Sequence, residues 1–419
     1  MRICFLVHEL GRSGGAQTIA GYARALAARE GWEADVIVTD PHAAHVAPDL
    51  DGVPVRRADE EGLGPYDVAI STWWTTAAWL WEVPATRRIA FLQSIESRFY
   101  ENVHFYERLA AEQVLALPVD YVTVAGWIGR VMAELRPDAR CEVVRNGIDK
   151  RVFSPRPRER AGGPLRVLVE GQPSLWFKGV HDAVAAVRAM EEPAELTVLA
   201  TDPGESGGLE GVTIEGGLHP AAVADVYADH DVVLKLSRVE GLPLCPLEAF
   251  HLGLPAIVTP FTGHDEYLVH GHNGLVVGFD DGPGAVRALD RVARDRGLLA
   301  RLSEGALQTA ATWPSAGQAA EAFATAVERL AAGPEPDRVA ALAHWQRASR
   351  RWTELTRFEV NRLQGMVRWY EGALVERDDA LRERGAEVEE YRRRLEELVS
   401  SRAYRASVAA RRLIPRRPR

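Results

Sequence analysis

Two glutamates, eight residues apart, flank a loop that is rich in glycine and proline. The loop between Glu240 and Glu248 begins Gly241-Leu242-Pro243-Leu244. Because proline suits the first helical turn, we expect a helix to begin near Pro246, with Glu248 in its first turn at the positive end of the dipole. The loop amides form an anion site, and a carboxylate can accept both hydroxyls of a ribose diol. One glutamate can therefore hold a ribose and the other a sugar. Alternatively, Glu248 merely caps the helix and Glu240 is solvated.

Short apolar segments alternate with helical patterns on both sides of this loop, as in a parallel sheet covered by helices. The first segment, 2–7, precedes the glycine loop 11–15 and a helical pattern from about Ala16 to Ala28, which is typical of a nucleotide-binding unit. The other strands predicted before residue 150 are 34–39, 67–71, 89–93, 121–125 and 141–145. Those predicted after it are 165–170, 196–200, 212–215, 232–236 and 256–259.

A break between the two series of strands predicts an interdomain linker. It begins at Asn146-Gly147, a pair that favours a tight turn, and continues to Pro157. We therefore predict an α/β protein whose two Rossmann-like domains, 1–150 and 151–333, face each other across a cleft. The last helices of the second domain could cross back to the first.

A heptad pattern follows the second domain, from about residue 334 onward. Apolar residues recur at every seventh position from Val360 to Leu395, and a second series lies three residues after each of them. The second series is interrupted by Arg377 and Arg384. So long a seam predicts an α-helical coiled coil over 334–400. The alternative is a long solvated helix packed on the body of the protein.

The last nineteen residues, 401–419, are basic although the whole chain is acidic. They contain seven arginines and no acid, whereas the formal net charge of the chain is −9. An acidic body is a poor partner for nucleic acid, because phosphate contacts need a basic face. We expect 401–419 to contact an anionic membrane surface, or to be a disordered solubilising end. The segment 354–400 is expected to pair with a second copy of the chain or with a partner helix.

Cysteine usage and hydropathy indicate a cytoplasmic protein, in peripheral contact with the inner face of the membrane through its tail. The three cysteines are far apart and allow no disulfide framework, which fits a reducing compartment. The apolar start is too short for a signal peptide, and no apolar run approaches the ~18 residues of a spanning helix.

Five segments, in the correct order, resemble motifs of glycosyltransferase family 4, which has the GT-B fold. Residues 240–250 resemble its paired-glutamate motif, and 252–259 and 270–277 resemble the strand and the hairpin that follow. Residues 143–153 resemble its linker, and Gly14-Gly15 stands where the family has its N-terminal glycine loop. The resemblance covers the chain from its first residue to about residue 330.

The resemblance implies a retaining, hexosyltransferase-type enzyme that uses a nucleoside diphosphate sugar as donor and needs no other cofactor. Glu248 would bind the ribose, Glu240 would contact the donor sugar, and Lys178 would neutralise the diphosphate. Gly15 would let the backbone approach the donor closely. The other donor-binding candidates are Gly14, Gln172, Gly241, Leu242, Pro243, Leu244 and His264.

Metal binding is not expected. His264, His270 and His272 match no standard zinc spacing, and no Asp-x-Asp pair stands where a cation would hold a diphosphate. Lys178 and the loop amides make metal-independent transfer the expectation. The loop beyond the strand 256–259 should face the cleft, so His264 is instead a candidate near the donor sugar.

Two departures from the family pattern concern the donor phosphates and the acceptor. Gln172 stands where the family usually has an arginine, and Arg238 and Arg12 are candidates to replace its charge. The stretch 71–76 lacks the histidine that many members have near the reacting sugar.

The stretch 93–100 instead resembles rhamnosyltransferase-like members, which makes Gln93 and Glu96 candidates for the acceptor side of the cleft. Glu96 is a candidate catalytic group, and the alternative is a solvated loop acid. The implied function is transfer to a saccharide or lipid-linked acceptor in cell-surface polysaccharide synthesis. A scaffold organised by the coiled coil, which senses a nucleotide or glycan without catalysis, is the competing hypothesis.

Overall fold

The computed structural model of the chain describes residues 1–11, 13–40, 42, 50, 52–101, 104–156, 162–204, 208–209 and 211–400. Contacts within the chain group residues 1–346 into one compact unit and the remainder into a second. The strands described in the first unit form two sheets, and neighbouring strands in both sheets are parallel. The predicted fold class, two Rossmann-like domains, is therefore confirmed.

The first sheet consists of β1 (Arg2–Val7), β2 (Glu33–Val38), β3 (Val55–Arg57), β4 (Tyr66–Ser71), β5 (Ala85–Leu92), β6 (Asp120–Thr123) and β7 (Cys141–Val143). Their order across the sheet is β3-β2-β1-β4-β5-β6-β7. The helices between them are α1 (Gly14–Ala27), α2 (Phe105–Val114) and α3 (Gly126–Leu135). The strand order reverses beside β1, and ligands of such sheets bind where the order reverses, at the carboxyl ends of the strands.

The second sheet consists of β8 (Leu165–Glu170), β9 (Ala194–Ala200), β10 (Thr213–Gly216), β11 (Val232–Lys235), β12 (Ala256–Val258) and β13 (Gly274–Val276). Their order is β10-β9-β8-β11-β12-β13, which reverses beside β8. The helices of this domain are α4 (Val180–Arg188), α5 (Pro220–Ala228), α6 (Leu244–His251), α7 (Gly282–Arg294) and α8 (Arg296–Thr312).

Helix α9 (Ala316–Ala332) leaves the second domain and packs against α1 of the first. Its Phe323 is fully buried and stacks on Tyr22 with the ring centroids 4.5 Å apart. The same ring lies 5.9 Å from Phe5 and 5.2 Å from Phe91. The chain thus passes between the domains twice, and the two passages touch: the amide of Ile148 donates to the carbonyl of Pro314 (3.1 Å).

Two expectations about local structure are wrong. Helix α6 begins at Leu244 after Pro243, so Glu248 lies in its second turn and not its first. The segment expected to form a hairpin contains β13, which pairs parallel with β12. Strand β3 was also not predicted, because Arg56 and Arg57 are charged and Val55 is the one apolar residue of the strand.

The second unit contains most of helix α10 (Arg338–Ser400), which is 63 residues long. The predicted seam is solvent-exposed along this helix, with Val367, Leu374, Leu381, Val388 and Leu395 at 50–65% exposure. Pairing of this seam with another helix stays a prediction. The basic tail 401–419 lies outside the described residues.

Candidate active site

The carboxyl edge of the second sheet carries a buried cluster of two lysines and two glutamates. Because β8 and β11 are neighbours, their last residues, Glu170 and Lys235, lie side by side. The ammonium Nζ of Lys235 is 2.5 Å from Oε2 of Glu170 and 2.9 Å from Oε1 of Glu240. Lys178 reaches the same carboxylate, with its Nζ 3.0 Å from Oε1 and 3.2 Å from Oε2 of Glu240. Glu240 is therefore shared by two cations.

The charges of this cluster keep both carboxylates ionised although they are buried. Burial opposes ionisation of Glu240, but Lys178 and Lys235 outweigh it and lower its pKa to about 2. Burial likewise opposes ionisation of Glu170, and the same two lysines lower its pKa. The solvated alternative for Glu240 is wrong, since only 5% of this residue is exposed.

Glu248, the second glutamate of the pair, has no cation of its own among the contacts described. Its Oε2 accepts a hydrogen bond from the hydroxyl of Tyr227 at 3.2 Å. Burial, and after it the charge of Glu170, raise its pKa to about 7 against the opposing hydrogen bond from Tyr227. Its protonation state therefore changes near neutral pH, which the paired-glutamate spacing alone did not predict.

The turn that carries Lys178 depends on glycine. Gly179 has φ +63°, in the left-handed region, and a Cβ atom there would lie 2.0 Å from the carbonyl oxygen of Leu236. A side chain would therefore push this turn away from β11 and move Lys178 with it.

The loop after Glu240 lies directly against the first domain. The indole nitrogen of Trp127 donates to the carbonyl of Gly241 at 2.7 Å. A Cβ atom at Gly241 would lie 1.8 Å from the carbonyl oxygen of Gln93, so only glycine allows this approach. The Gln93 side chain also faces Gly15, where a Cβ atom would lie 3.2 Å from its Nε2. Gln93 thus stands between the two glycine positions at the centre of the cleft.

The remaining residues of the donor loops are placed by backbone contacts. Gly14 is the first residue of α1, whose cap is the hydroxyl of Ser13. Leu242 is buried, Pro243 accepts a hydrogen bond from Tyr267 at 3.4 Å, and Leu244 opens α6.

Gln172 and Arg238 are both held by other protein groups. The side-chain amide of Gln172 donates to the carbonyl of Asp202 at 3.1 Å and accepts from its amide at 2.9 Å. Arg238 pairs with Asp280 at 2.5 Å and with Asp182 at 2.8 Å. Arg238 therefore carries no uncompensated charge toward the pocket, and Arg12 lies outside the described residues.

Glu96 is buried, so the solvated alternative for this residue is wrong. Its Oε2 accepts from the amide of Trp74 at 2.6 Å, at the start of the 3₁₀ turn 74–81. Burial raises its pKa to about 8, against the opposing hydrogen bond from Trp74. The contact itself is that of a cap, and a catalytic role for Glu96 stays a prediction.

His264 lies in the loop after β12, and its Nδ1 donates to the carbonyl of Phe261 at 2.7 Å. The preceding Gly263 packs against the carbonyl of Gly241, where a Cβ atom would lie only 2.4 Å away. The loop is thus next to the donor loop, as expected for the carboxyl end of a strand. Contact of His264 with a sugar stays a prediction.

Sequence reasoning missed Lys235, Glu170 and Tyr227. A signal for the first two was present, because each is a charged residue at the end of a mainly apolar strand, which points to the carboxyl edge of the sheet. Tyr227 gave no such signal, since it lies on α5, outside the recognised motifs.

No three His, Cys, Asp or Glu side chains of the described ranges come together so that they could hold a metal ion. Of the helices that the structure describes, none combines the length and the apolar character needed to cross a bilayer.

Residues 204–309 match the model of the family described as glycosyl transferases group 1. In this segment the chain is similar to the group 1 glycosyltransferases. The matched segment contains Lys235, Glu240, Glu248 and His264, whereas Lys178 lies before it.

Among its relatives is the D-inositol 3-phosphate glycosyltransferase of Stackebrandtia nassauensis, 29% identical over 67% of this chain and 73% of the relative. The lipopolysaccharide core biosynthesis glycosyltransferase LpsE of Rhizobium meliloti is 30% identical over 32% of this chain and 41% of the relative. Of the solved structures, HepE of Anabaena in complex with UDP-glucose has a TM-score of 0.64 at 17% identity. That comparison covers 79% of this chain and 100% of HepE, and it shows the GT-B fold.

Proposed function

We propose that this protein is a group 1 glycosyltransferase, which moves a sugar with retention of configuration from a nucleoside diphosphate sugar to a saccharide or lipid-linked acceptor. The observation that carries the proposal is the cluster of Lys178, Glu240 and Lys235 at the carboxyl edge of the second sheet, beside the amino end of α6. A cation and helix amides stabilise the charge that develops on a leaving diphosphate. Glu248 is the proposed partner of the ribose diol, and a front-face reaction would need no protein nucleophile.

The acceptor side of the proposal is supported by an aromatic cluster that spans both domains. The rings of Trp73 and Phe99 stack at 6.0 Å, and Phe99 lies 4.9 Å from Phe177. Trp176 donates from its indole nitrogen to the carbonyl of Phe99 at 3.0 Å and stays 40% exposed. Aromatic faces suit the apolar face of a sugar ring, and two of these rings, Trp176 and Phe177, directly precede Lys178 in the sequence. We propose them as the contact for a saccharide acceptor.

A single observation supports each of the remaining proposals, which concern the pathway, the nucleotide, the sugar, the membrane contact and metal independence. Cell-surface polysaccharide synthesis is favoured by LpsE, whose name places it in lipopolysaccharide core biosynthesis. UDP is the first nucleotide to test, since HepE was solved with UDP-glucose. Rhamnose as the sugar rests only on the resemblance of residues 93–100, and a membrane contact rests on the composition of 401–419. Metal-independent transfer rests on the position of Lys178.

A thermal-shift screen with UDP, GDP, dTDP and ADP sugars tests the proposal first, because a ligand that binds only the folded state raises its melting temperature. With the donor found, Lys178→Ala should lower turnover by at least about tenfold, since a charge-assisted contact is worth about 1.5–3 kcal/mol. Lys150→Ala, a lysine that caps α8 through the carbonyl of Ala310, is the matched control.

The proposal predicts transfer or slow donor hydrolysis by the wild-type protein, and a product with the anomeric configuration of the donor by NMR. Donor binding without transfer or hydrolysis would favour the scaffold hypothesis. Equal turnover of Lys178→Ala and wild type would exclude the proposed site.

A further inference from the structure

The two lysines that share Glu240 differ in what they can reach. Lys178 stands on the turn 176–178 and its side chain is 21% exposed, whereas that of Lys235 is 0% exposed. Lys235 projects from the last position of a central strand and is enclosed by the carboxylates of Glu170 and Glu240. A donor that enters from the cleft can therefore draw Lys178 toward its phosphates, but it cannot draw Lys235.

Movement of Lys178 onto a diphosphate would weaken one of the two ion pairs of Glu240. Glu240 is almost fully buried, and a buried carboxylate that loses its cation becomes strongly unfavourable as an anion. A second, immobile cation removes this difficulty, because the carboxylate then stays paired throughout. Glu170 in turn keeps Lys235 charged, since the carboxylate of Glu170 lies 2.5 Å from Nζ of Lys235.

We propose that Lys235 is a positioning residue that keeps Glu240 ionised and in place while Lys178 moves from Glu240 to the donor phosphates. This inference rests on the proposed function, because it needs a diphosphate to receive Lys178. It also accounts for Gln172, which is held by the backbone of Asp202 and supplies no charge. The second cation of the site is Lys235 at the end of β11, and it does not stand at the position of Gln172.

The presence of Lys235 determines whether donor binding is linked to protonation of Glu240. The charged or titratable groups that face Glu240 are Lys178 from the turn 176–178, Lys235 from β11, Glu170 from β8 and Tyr267 from the loop after β12. With Lys235 present, Glu240 is paired in both the free and the donor-bound protein, so binding takes up no proton there. Without Lys235, the departure of Lys178 leaves Glu240 unpaired. Binding must then take up a proton and weakens as the pH rises.

The experiment uses the full chain and two variants that differ at one position. Lys235→Met combined with Glu170→Gln removes one positive and one negative charge, so the buried cluster stays neutral and the variant is expected to fold. Glu170→Gln alone is the matched reference, and it gives both proteins the same environment around Glu248. The probe is UDP, or whichever nucleoside diphosphate the thermal-shift screen selects, and the measurement is its dissociation constant by calorimetry from about pH 6.5 to about pH 8.

We expect the ratio of the two dissociation constants, double variant over Glu170→Gln, to rise by up to about tenfold for each pH unit, because one proton is linked to binding. Calorimetry in buffers of different ionisation enthalpy should show proton uptake by the double variant alone. A ratio that does not change with pH, together with tight binding, overturns the inference and leaves the proposed function intact. Failure of the wild-type protein to bind any nucleoside diphosphate of the screen overturns both.

Discussion

The strength of nucleotide binding should follow the ionisation of Glu248. The carboxylate must be charged to accept both hydroxyls of a ribose diol, and its pKa is raised to about 7, first by burial and then by the charge of Glu170. With this pKa, about one molecule in eleven is ionised at pH 6 and about ten in eleven at pH 8. The contribution of the diol to affinity should therefore increase about tenfold over this range.

A pair of ligands isolates this effect from the ionisation of the phosphates. UDP and its 2′,3′-dideoxy analogue carry the same diphosphate. The dissociation constant of the analogue divided by that of UDP therefore reports only on the diol. In the wild-type protein this ratio should rise about tenfold from pH 6 to pH 8. In Glu248→Gln it should be flat, and UDP should bind roughly tenfold to a hundredfold more weakly at pH 8, since a hydrogen bond to a charged group contributes about 1.5–3 kcal/mol.

Glu304→Gln removes an exposed glutamate from the same domain and serves as the control, with the behaviour of the wild-type protein expected. The reasoning would be refuted by a ratio that does not change with pH in the wild-type protein. It would also be refuted if Glu248→Gln kept the pH dependence, because another group would then bind the ribose.

Three further predictions concern other parts of the molecule. Because the folded-state pKa of Glu96 (about 8) exceeds its ordinary value of 4.5, ionisation destabilises the folded state as the pH rises through this interval. The melting temperature of Glu96→Gln relative to wild type should therefore increase from pH 5 to pH 9 by at least about 2 °C, and a constant difference in calorimetry would contradict it. Gly241→Ala should block the approach of the loop to Gln93 and lower kcat at least about tenfold, since a 1 Å misplacement costs about a hundredfold; unchanged kcat would show that this approach is not needed. Leu381→Glu should lower the oligomeric state in analytical ultracentrifugation and Ala386→Glu, off the seam, should not; a wild-type monomer would exclude self-association.

The two sheets could be predicted from the sequence because most of their strands contain several buried apolar residues close together. The limits of β8 were predicted to the residue, and those of β11 and β12 to within one residue, since buried strands between helices leave little ambiguity. The strand β3 escaped prediction because Val55, Arg56 and Arg57 have no apolar periodicity, and its assignment depends on pairing with β2.

The site residues that could be predicted are those that lie in recognised sequence motifs. Lys178, Glu240 and Glu248 came from spacing and resemblance, but the bonds of Lys235 to Glu170 and Glu240 depend on the register of β11 against β8, which the sequence does not contain. The same holds for Glu96. Its burial follows from the packing of the turn 74–81, and its carboxylate caps that turn at the amide of Trp74.

The position of Phe323 has a consequence for biosynthesis. Its ring completes the cluster of Phe5, Tyr22 and Phe91, yet it is translated more than two hundred residues after them. The amino-terminal lobe therefore emerges from the ribosome with an unfilled apolar groove along α1, and it stays so until the whole second lobe has been made. A nascent chain in this condition exposes apolar surface, and the first lobe can complete its core only after α9 has been made.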